Sequence, residues 1–273
     1  MSFRHLVAAT AVATPIVSGA FAPSANANER HFTFNYETAV LPAGARELEL
    51  WTTPRIGRDD FYLRFDQRVE LEWGLTDRLQ SAFYLNFSAA AAETAPGVLS
   101  TGSEFQGVSS EWKYKVSDPV ADRVGFGLYG EVGAGPEELE LEAKLLFDKK
   151  IGNLLVVANL VGELELEFEG EMDEGEVEME PEFVLAPSFG LAYYLSPNFT
   201  AGVEVLNHNE IAHGEWEHSA LFAGPQVAYA TETWWIAATF MPQLPALKKE
   251  GDGTLILDEH ERYMARVLLA FHI

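Results

Sequence analysis

The sequence predicts an all-β chain: a transmembrane, antiparallel, up-and-down β-barrel of about 12 strands behind an N-terminal signal peptide. Three observations predict it. Apolar and ionised residues alternate with period 2 along most of the chain. The connections alternate between short turns and, for the most part, longer polar loops. An aromatic residue recurs on the apolar face just before every second turn.

The elements follow in order. Residues 1–27 read as a secretory signal: Arg4 and His5 give a basic start, Leu6 to Ala22 an apolar stretch broken by Pro15, and Ala25-Asn26-Ala27 a small-x-small cleavage site. The mature chain then begins at Asn28. The 273-residue chain carries a formal charge of −24, and losing Arg4 moves it to −25. Such acidity repels phosphate and excludes nucleic acid as a partner. With no cysteine, there is no disulfide framework and no thiolate metal site. Beyond the signal, no apolar run reaches the roughly 18 residues that a spanning helix needs.

Residues 28–44 precede the first strand. Phe32, Phe34 and Tyr36 alternate there, so this segment either docks in the lumen or lies at the periplasmic rim. The barrel proper takes 45–273, with strands expected at 45–55, 61–74, 79–90, 107–117, 124–134, 137–149, 153–170, 177–195, 199–209, 219–231, 233–246 and 261–273. FYLRFDQRVELEW shows the alternation best. Phe61, Leu63, Phe65, Val69, Leu71 and Trp73 share one face, and Tyr62, Arg64, Asp66, Arg68, Glu70 and Glu72 share the other. A helix would scatter these residues around its circumference.

GLTDR, SDPVADR, KKIGN, LSPN and ATET are the short turns; 91–106, 171–176, 210–218 and 247–260 are the longer loops, with tight members near 56–60 and 135–136. An outer-membrane barrel has this asymmetry, with its long loops outside the cell. Trp73, Tyr114, Phe147, Tyr193, Tyr229 and Phe271 stand just before the short turns or the chain end, and Trp234 opens the next strand at the same height. They form a girdle at one membrane–water interface. A soluble β-sandwich or lipocalin-like barrel alternates too, but has no reason to place aromatics at one height on every second strand.

ERYMARVLLAFHI resembles the C-terminal assembly signal of bacterial outer-membrane barrels, although it ends on Ile273 with the aromatic at Phe271. YETAVLPAGARELELWTTPRIG and VELEWGLTDRLQSAFYLNF, within residues 36–87, resemble a porin-like family of uncharacterised Gram-negative outer-membrane β-barrels. The resemblance implies the fold and an outer-membrane location. It brings no catalytic residue and no substrate. The partners expected are outer-membrane lipid and lipopolysaccharide, the barrel-assembly machinery through the last strand, and small solutes or cations.

In such a barrel the wet face lines the lumen. Twelve strands fall between the side-chain-filled eight and the water-filled sixteen, so a narrow pore and a plugged one are both open. The lumen candidates are Arg64, Asp66, Arg68, Glu70, Glu72, Glu111, Lys113, Glu140, Glu142 and Lys144. Their acidic excess favours cations. The plain alternative is a salt-bridge network that fills the interior and conducts nothing. ELELEFEGEMDEGEVEMEPE, from Glu163 to Glu182, reads as a hairpin beyond the outer surface, turning near Asp173-Glu174. An even turn sets Glu165 opposite Glu182, Glu167 opposite Glu180, Glu169 opposite Glu178 and Glu171 opposite Glu176. Facing carboxylates repel. Their oxygens suit Ca²⁺ or Mg²⁺ as a candidate metal site, and the ordinary alternative is a solvated acidic rim.

HNEIAHGEWEH brings His208, His213 and His218 into an expected outer loop. Imidazoles suit Zn²⁺, Cu²⁺ or Ni²⁺, but this spacing matches no closed structural site. An outer-membrane hydrolase is the rival class. Ser188, Ser219 and Asp258-Glu259-His260 offer hydroxyl, acid and base, yet no catalytic motif surrounds them. The expectation is therefore a non-enzyme without an obligate cofactor: a narrow cation-preferring channel or small-solute porin, or else a non-conducting structural or surface-binding barrel.

Overall fold

A computed structural model describes residues 29–136, 138–169, 178–249 and 253–273. The expected signal, the turn near Asp173-Glu174 and the pair Glu171–Glu176 lie outside the described residues. Period-2 alternation becomes twelve antiparallel strands: β1 (Arg46–Ile56), β2 (Tyr62–Thr76), β3 (Leu79–Ala95), β4 (Val98–Ser117), β5 (Gly125–Ala134), β6 (Glu138–Ile151), β7 (Leu154–Glu169), β8 (Glu178–Ser196), β9 (Phe199–Ala212), β10 (Glu215–Ala230), β11 (Trp234–Lys248) and β12 (Tyr263–His272). Each pairs with its chain neighbours, and β1 pairs with β12, so the sheet closes. Leu48 opposite Phe271 and Leu50 opposite Leu269 set the register of that seam.

The apolar face points outward. Trp112, Val132, Phe83, Leu160, Val203 and Phe240 are all exposed, Trp112 by 52%. In water this surface would be untenable; around a bilayer it is the lipid contact. The residues of the expected girdle turn outward: Tyr114, Phe147, Tyr193, Tyr229 and Phe271 are exposed, and Trp73 and Trp234 half-exposed. Tyr229 and Trp234 pack ring to ring at 5.7 Å. One crossing higher, Phe87 packs on Phe105 and Phe240 stacks on Tyr263, at 5.5 and 5.9 Å between centroids.

Two expected loops are strand instead. Residues 91–106 continue β3 and β4 as a hairpin in which Ala95 pairs with Val98 across Pro96-Gly97. Pro presets the first turn position, and Gly97, at φ 77°, supplies the positive φ of the second. Residues 210–218 likewise continue β9 and β10. Glu215 pairs with Ala212 across His213-Gly214, both at positive φ (54° and 81°), the geometry of a hairpin turn matched to strand twist. Low apolarity marked both stretches as loops. Backbone pairing above the membrane needs no apolar face.

The lumen is filled in its periplasmic half. The segment before β1 climbs from the periplasmic mouth to a tip at Phe34, then descends through Tyr36, Thr38 and Leu41 to β1. Phe32, Tyr36, Val40 and Leu41 are buried. Of the two placements left open for this segment, its described residues, 29–44, take the lumen.

Candidate functional site

The site is the lumen and its plug. The plug is held by wall side chains that accept its backbone N–H groups. Consecutive N–H groups of Thr33, Phe34 and Asn35 donate to the Glu204 carboxylate on β9 at 3.1, 3.0 and 2.9 Å. Thr33 Oγ1, Asn35 Nδ2 and Thr239 Oγ1 donate to it as well. Farther down, the Tyr36 N–H donates to Asn159 Oδ1, the Thr38 N–H to Asp148 and the Leu41 N–H to Gln80, at 2.7, 2.8 and 2.8 Å. The Gln226 amide donates to the His31 carbonyl. These acceptors are buried and satisfy backbone donors that would otherwise be stranded.

The wall leaves room for this segment through missing side chains. A Cβ on Gly190 would meet the Phe32 ring at 2.7 Å, and one on Gly74 the Pro42 carbonyl oxygen at 2.0 Å. One on Gly125 would strike Asp148 and Thr38. At the foot, His31 Nδ1 lies 3.2 Å from Glu37, and its Nε2 lies 2.9 Å from the Tyr194 hydroxyl. Burial opposes the charged His31 ring, but the Glu37 carboxylate outweighs it, and the net direction is up. Burial likewise opposes the Glu37 carboxylate, His31 outweighs it, and Glu37 is held down.

Above the plug lies a cavity of about 430 Å³. Its floor is a layer of cations on aromatic faces. Arg30 lies over Tyr36, Arg68 over Tyr84, Lys144 over Tyr129 and Arg266 over Phe34, at 4.1, 3.9, 4.1 and 4.2 Å. Trp51 belongs to the same layer, with Arg68 4.6 Å from its ring. Trp51, Tyr84 and Tyr129 were missed as lumen residues, although their parity with Glu49, Asn86 and Glu131 marks the inward face.

Charges in the cavity are sorted by wall. Arg55, Arg64, Arg68 and Arg266 come from β1, β2 and β12; Glu131, Glu138, Glu140, Glu142, Glu163 and Glu165 come from β5, β6 and β7 across the lumen. Asp66 bridges Arg55 and Arg64 at 2.7 and 2.5 Å. Lys144 pairs with Glu142 at 2.7 Å. All ten lumen residues named from the sequence face inward, but Glu70, Glu72, Glu111 and Lys113 lie buried in the filled half and do not line the cavity.

The acidic wall continues upward. Glu165 pairs with Glu182, Glu167 with Glu180 and Glu169 with Glu178 in the expected register. On its other edge β7 sets Glu163, Glu165 and Glu167 opposite Glu142, Glu140 and Glu138 of β6. The carboxylate rows therefore run across three strands. Beyond the bilayer, burial, then Glu210 and Glu165, push the Glu182 carboxyl up to about 8.

His213, expected with His208 and His218, stands apart in its turn. His208 and His218 do meet, and a third imidazole, His260 of the β11–β12 loop, completes the group. His218 Nε2 lies 2.7 Å from His260 Nε2, and the rings of His208 and His260 lie 4.7 Å apart. Burial, then the neighbouring imidazoles, push the His260 ring down to about 2, which keeps it neutral. The same loop folds inward: Ile256 is buried, its N–H donates to Gln243, and Glu261 pairs with Arg55 at 3.2 Å.

A closed barrel with an apolar outer face, a plug inside and a charged vestibule above it defines the class: a β-barrel of the bacterial outer-membrane type. Solved structures of that class share the fold. An outer-membrane channel from Pseudomonas putida is 12% identical, with 89% of this chain and 99% of that one covered at a TM-score of 0.58. The NanC porin is 11% identical, with 83% and 100% covered at 0.51. The β domain of the Bordetella autotransporter BrkA is 12% identical, with 85% and 100% covered at 0.51. No curated protein matches in sequence. The chain belongs to the family of unknown function DUF6662, whose pattern it matches over residues 24–273.

Proposed function

We propose that this chain is a narrow, cation-preferring channel of the Gram-negative outer membrane, closed on the periplasmic side by its own N-terminal segment and edged outside by carboxylates. The observation that carries this is how the plug is held. Individual side chains on separate strands bind the plug at residues 31–41, most by accepting its N–H groups, so it can leave without any barrel strand losing a partner. A lumen meant only as a solid core has no need of a removable filling. Seven carboxylates against five cations line the cavity above, which favours small cations over anions. The carboxylate rows on β6, β7 and β8 would gather cations at the outer mouth, Ca²⁺ and Mg²⁺ among them. Lipid and lipopolysaccharide meet the outer face, and the assembly machinery takes the β12 edge. A second reading, a non-conducting barrel that binds ligands at its outer surface, draws support from the filled periplasmic half.

Planar-bilayer recording separates the two. The refolded mature chain should give small, rarely open conductance, and a variant lacking 29–41 should open steadily, with a reversal potential showing cation preference. Glu140→Gln with Glu142→Gln should weaken that preference. A folded plug-deleted barrel that does not conduct, or one that selects anions, would overturn the channel.

A further inference from the structure

His208, His218 and His260 come from three elements, β9, β10 and the β11–β12 loop. One ring nitrogen from each lies within 4.8 Å of the other two. Ring-to-ring distances are 4.7 Å for His208–His260, 4.8 Å for His218–His260 and 6.2 Å for His208–His218. His218 is 6% exposed and the other two are half-buried. Glu210 Oε2 stands 3.4 Å from His218 Nε2.

Three imidazoles converge here by their ring nitrogens. His218 Nε2 and His260 Nε2 share one N–H···N bond, one donating and the other accepting, and that bond has no place for the His208 nitrogen converging on the same point. Protonating the rings instead would set like charges in contact beside Arg55, whose Nη1 binds Glu261, the residue after His260. A shared cation avoids that charge contact and engages all three rings, because each then offers its lone pair to one positive centre.

We propose that His208, His218 and His260 form a binding site for a borderline divalent transition-metal cation, Zn²⁺ above all, on the extracellular side of the barrel. Three imidazoles and one further ligand make the tetrahedral set that zinc takes, with Zn–N near ~2.0–2.1 Å. Such bonds hold ligand nitrogens roughly 3.3 Å apart, so the His218 and His260 rings spread slightly and His208 closes in. Glu210 or a water supplies the fourth ligand. Hard cations such as Ca²⁺ prefer oxygen and are disfavoured here. His208 lines the outer cavity, which gives the ion a path in from outside. Once bound, the metal would tie the β11–β12 loop to the β9–β10 hairpin across the lumen's mouth.

Untagged, refolded full-length mature protein, stripped with chelator, is titrated with ZnCl₂ by calorimetry and with Co²⁺ by visible absorption. The expected result is one equivalent of Zn²⁺ and the strong visible band of tetrahedral cobalt. Removing outer-shell partners of a metal typically weakens it about 10–100-fold, so losing a ligand should cost at least about 100-fold. His208→Ala, His218→Ala and His260→Ala should each show that loss, and His213→Ala should bind as the parent does. His260 lies in a loop, so its variant keeps the barrel, checked by its unboiled gel migration. Stoichiometric binding that survives His260→Ala, binding that needs His213, a Ca²⁺ preference, or no binding at micromolar Zn²⁺ would each overturn the site.

Discussion

Glu204→Gln tests the plug's hold with almost no change of shape. The carboxylate accepts from three consecutive backbone N–H groups, two plug side chains and Thr239. An amide keeps one acceptor oxygen. Hydrogen bonds to a charged acceptor contribute about 1.5–3 kcal/mol and neutral ones about 0.5–1.5, so the three bonds to Oε1 lose about 1 kcal/mol each. In that orientation the new NH₂ faces the Thr33 N–H, and a stranded donor costs about 1–3 kcal/mol more. Allowing for non-additivity, the plug should loosen by about 4 kcal/mol, or about 10³-fold in its release equilibrium. The chain has no cysteine, so Val40→Cys, at a site 3% exposed within the plug, is a single reporter. A polar maleimide labels it only after release, at a rate tracking the released population when reseating is fast. Labelling should accelerate about 10²–10³-fold in Glu204→Gln while gel migration shows an intact barrel. Rates equal within about threefold (less than 1 kcal/mol) would refute Glu204 as the anchor.

The foot of the plug should respond to pH. His31 is raised, so its contribution is complete below its ordinary range and is lost as pH rises through the higher value; Glu37 is lowered, so its contribution is lost only as pH falls through the lower one. His31 also faces Glu29, Lys150 and Tyr194. Compared at each pH, Val40→Cys with His31→Gln should label faster than Val40→Cys alone in mild acid. The two should converge in alkali, and a ratio constant across pH would remove His31 from the hold. At the outer rim, millimolar Ca²⁺ or Mg²⁺ should protect the Glu165–Glu182 hairpin from protease more than NaCl of equal ionic strength, because a bound ion stabilises the state that binds it. Gln at 167, 169, 178 and 180 should erase the difference, and equal protection by both salts would leave only screening.

What the sequence disclosed follows from range. Alternation is local, so the twelve strands, the outward face and the Trp73–Phe271 girdle could be read directly. The Glu165–Glu182 register followed from side-chain parity and like-charge rows alone. The three-strand extent of those rows needed β6 brought alongside β7, a pairing that parity within one strand cannot show. The plug's path was hidden because its partners are remote: Thr33 meets Glu204, and Thr38 meets Asp148, 171 and 110 residues away. His260 joined His208 and His218 only through the inward fold of the last loop. Spacing along one hairpin pointed to His213 instead. Trp51, Tyr84 and Tyr129 show a different limit. Sorting residues by polarity sends aromatics to the lipid face, and only parity could have kept these three inside, where cations rest on them.

The plug also fixes an order of events. Its anchors Gln80, Asp148, Asn159 and Glu204 stand on β3, β6, β7 and β9, spread around much of the circumference. Asp148 and Asn159 are neighbours across the β6–β7 pair, but Gln80 and Glu204 face the same segment only once the sheet has curled. The segment that leaves the ribosome ahead of every strand therefore has no complete seat until the sheet has curled. Until then Phe32, Phe34 and Tyr36 have no buried place, and their backbone donors are left to water. Residues that precede every strand in the chain are thus enclosed only after the strands have come together.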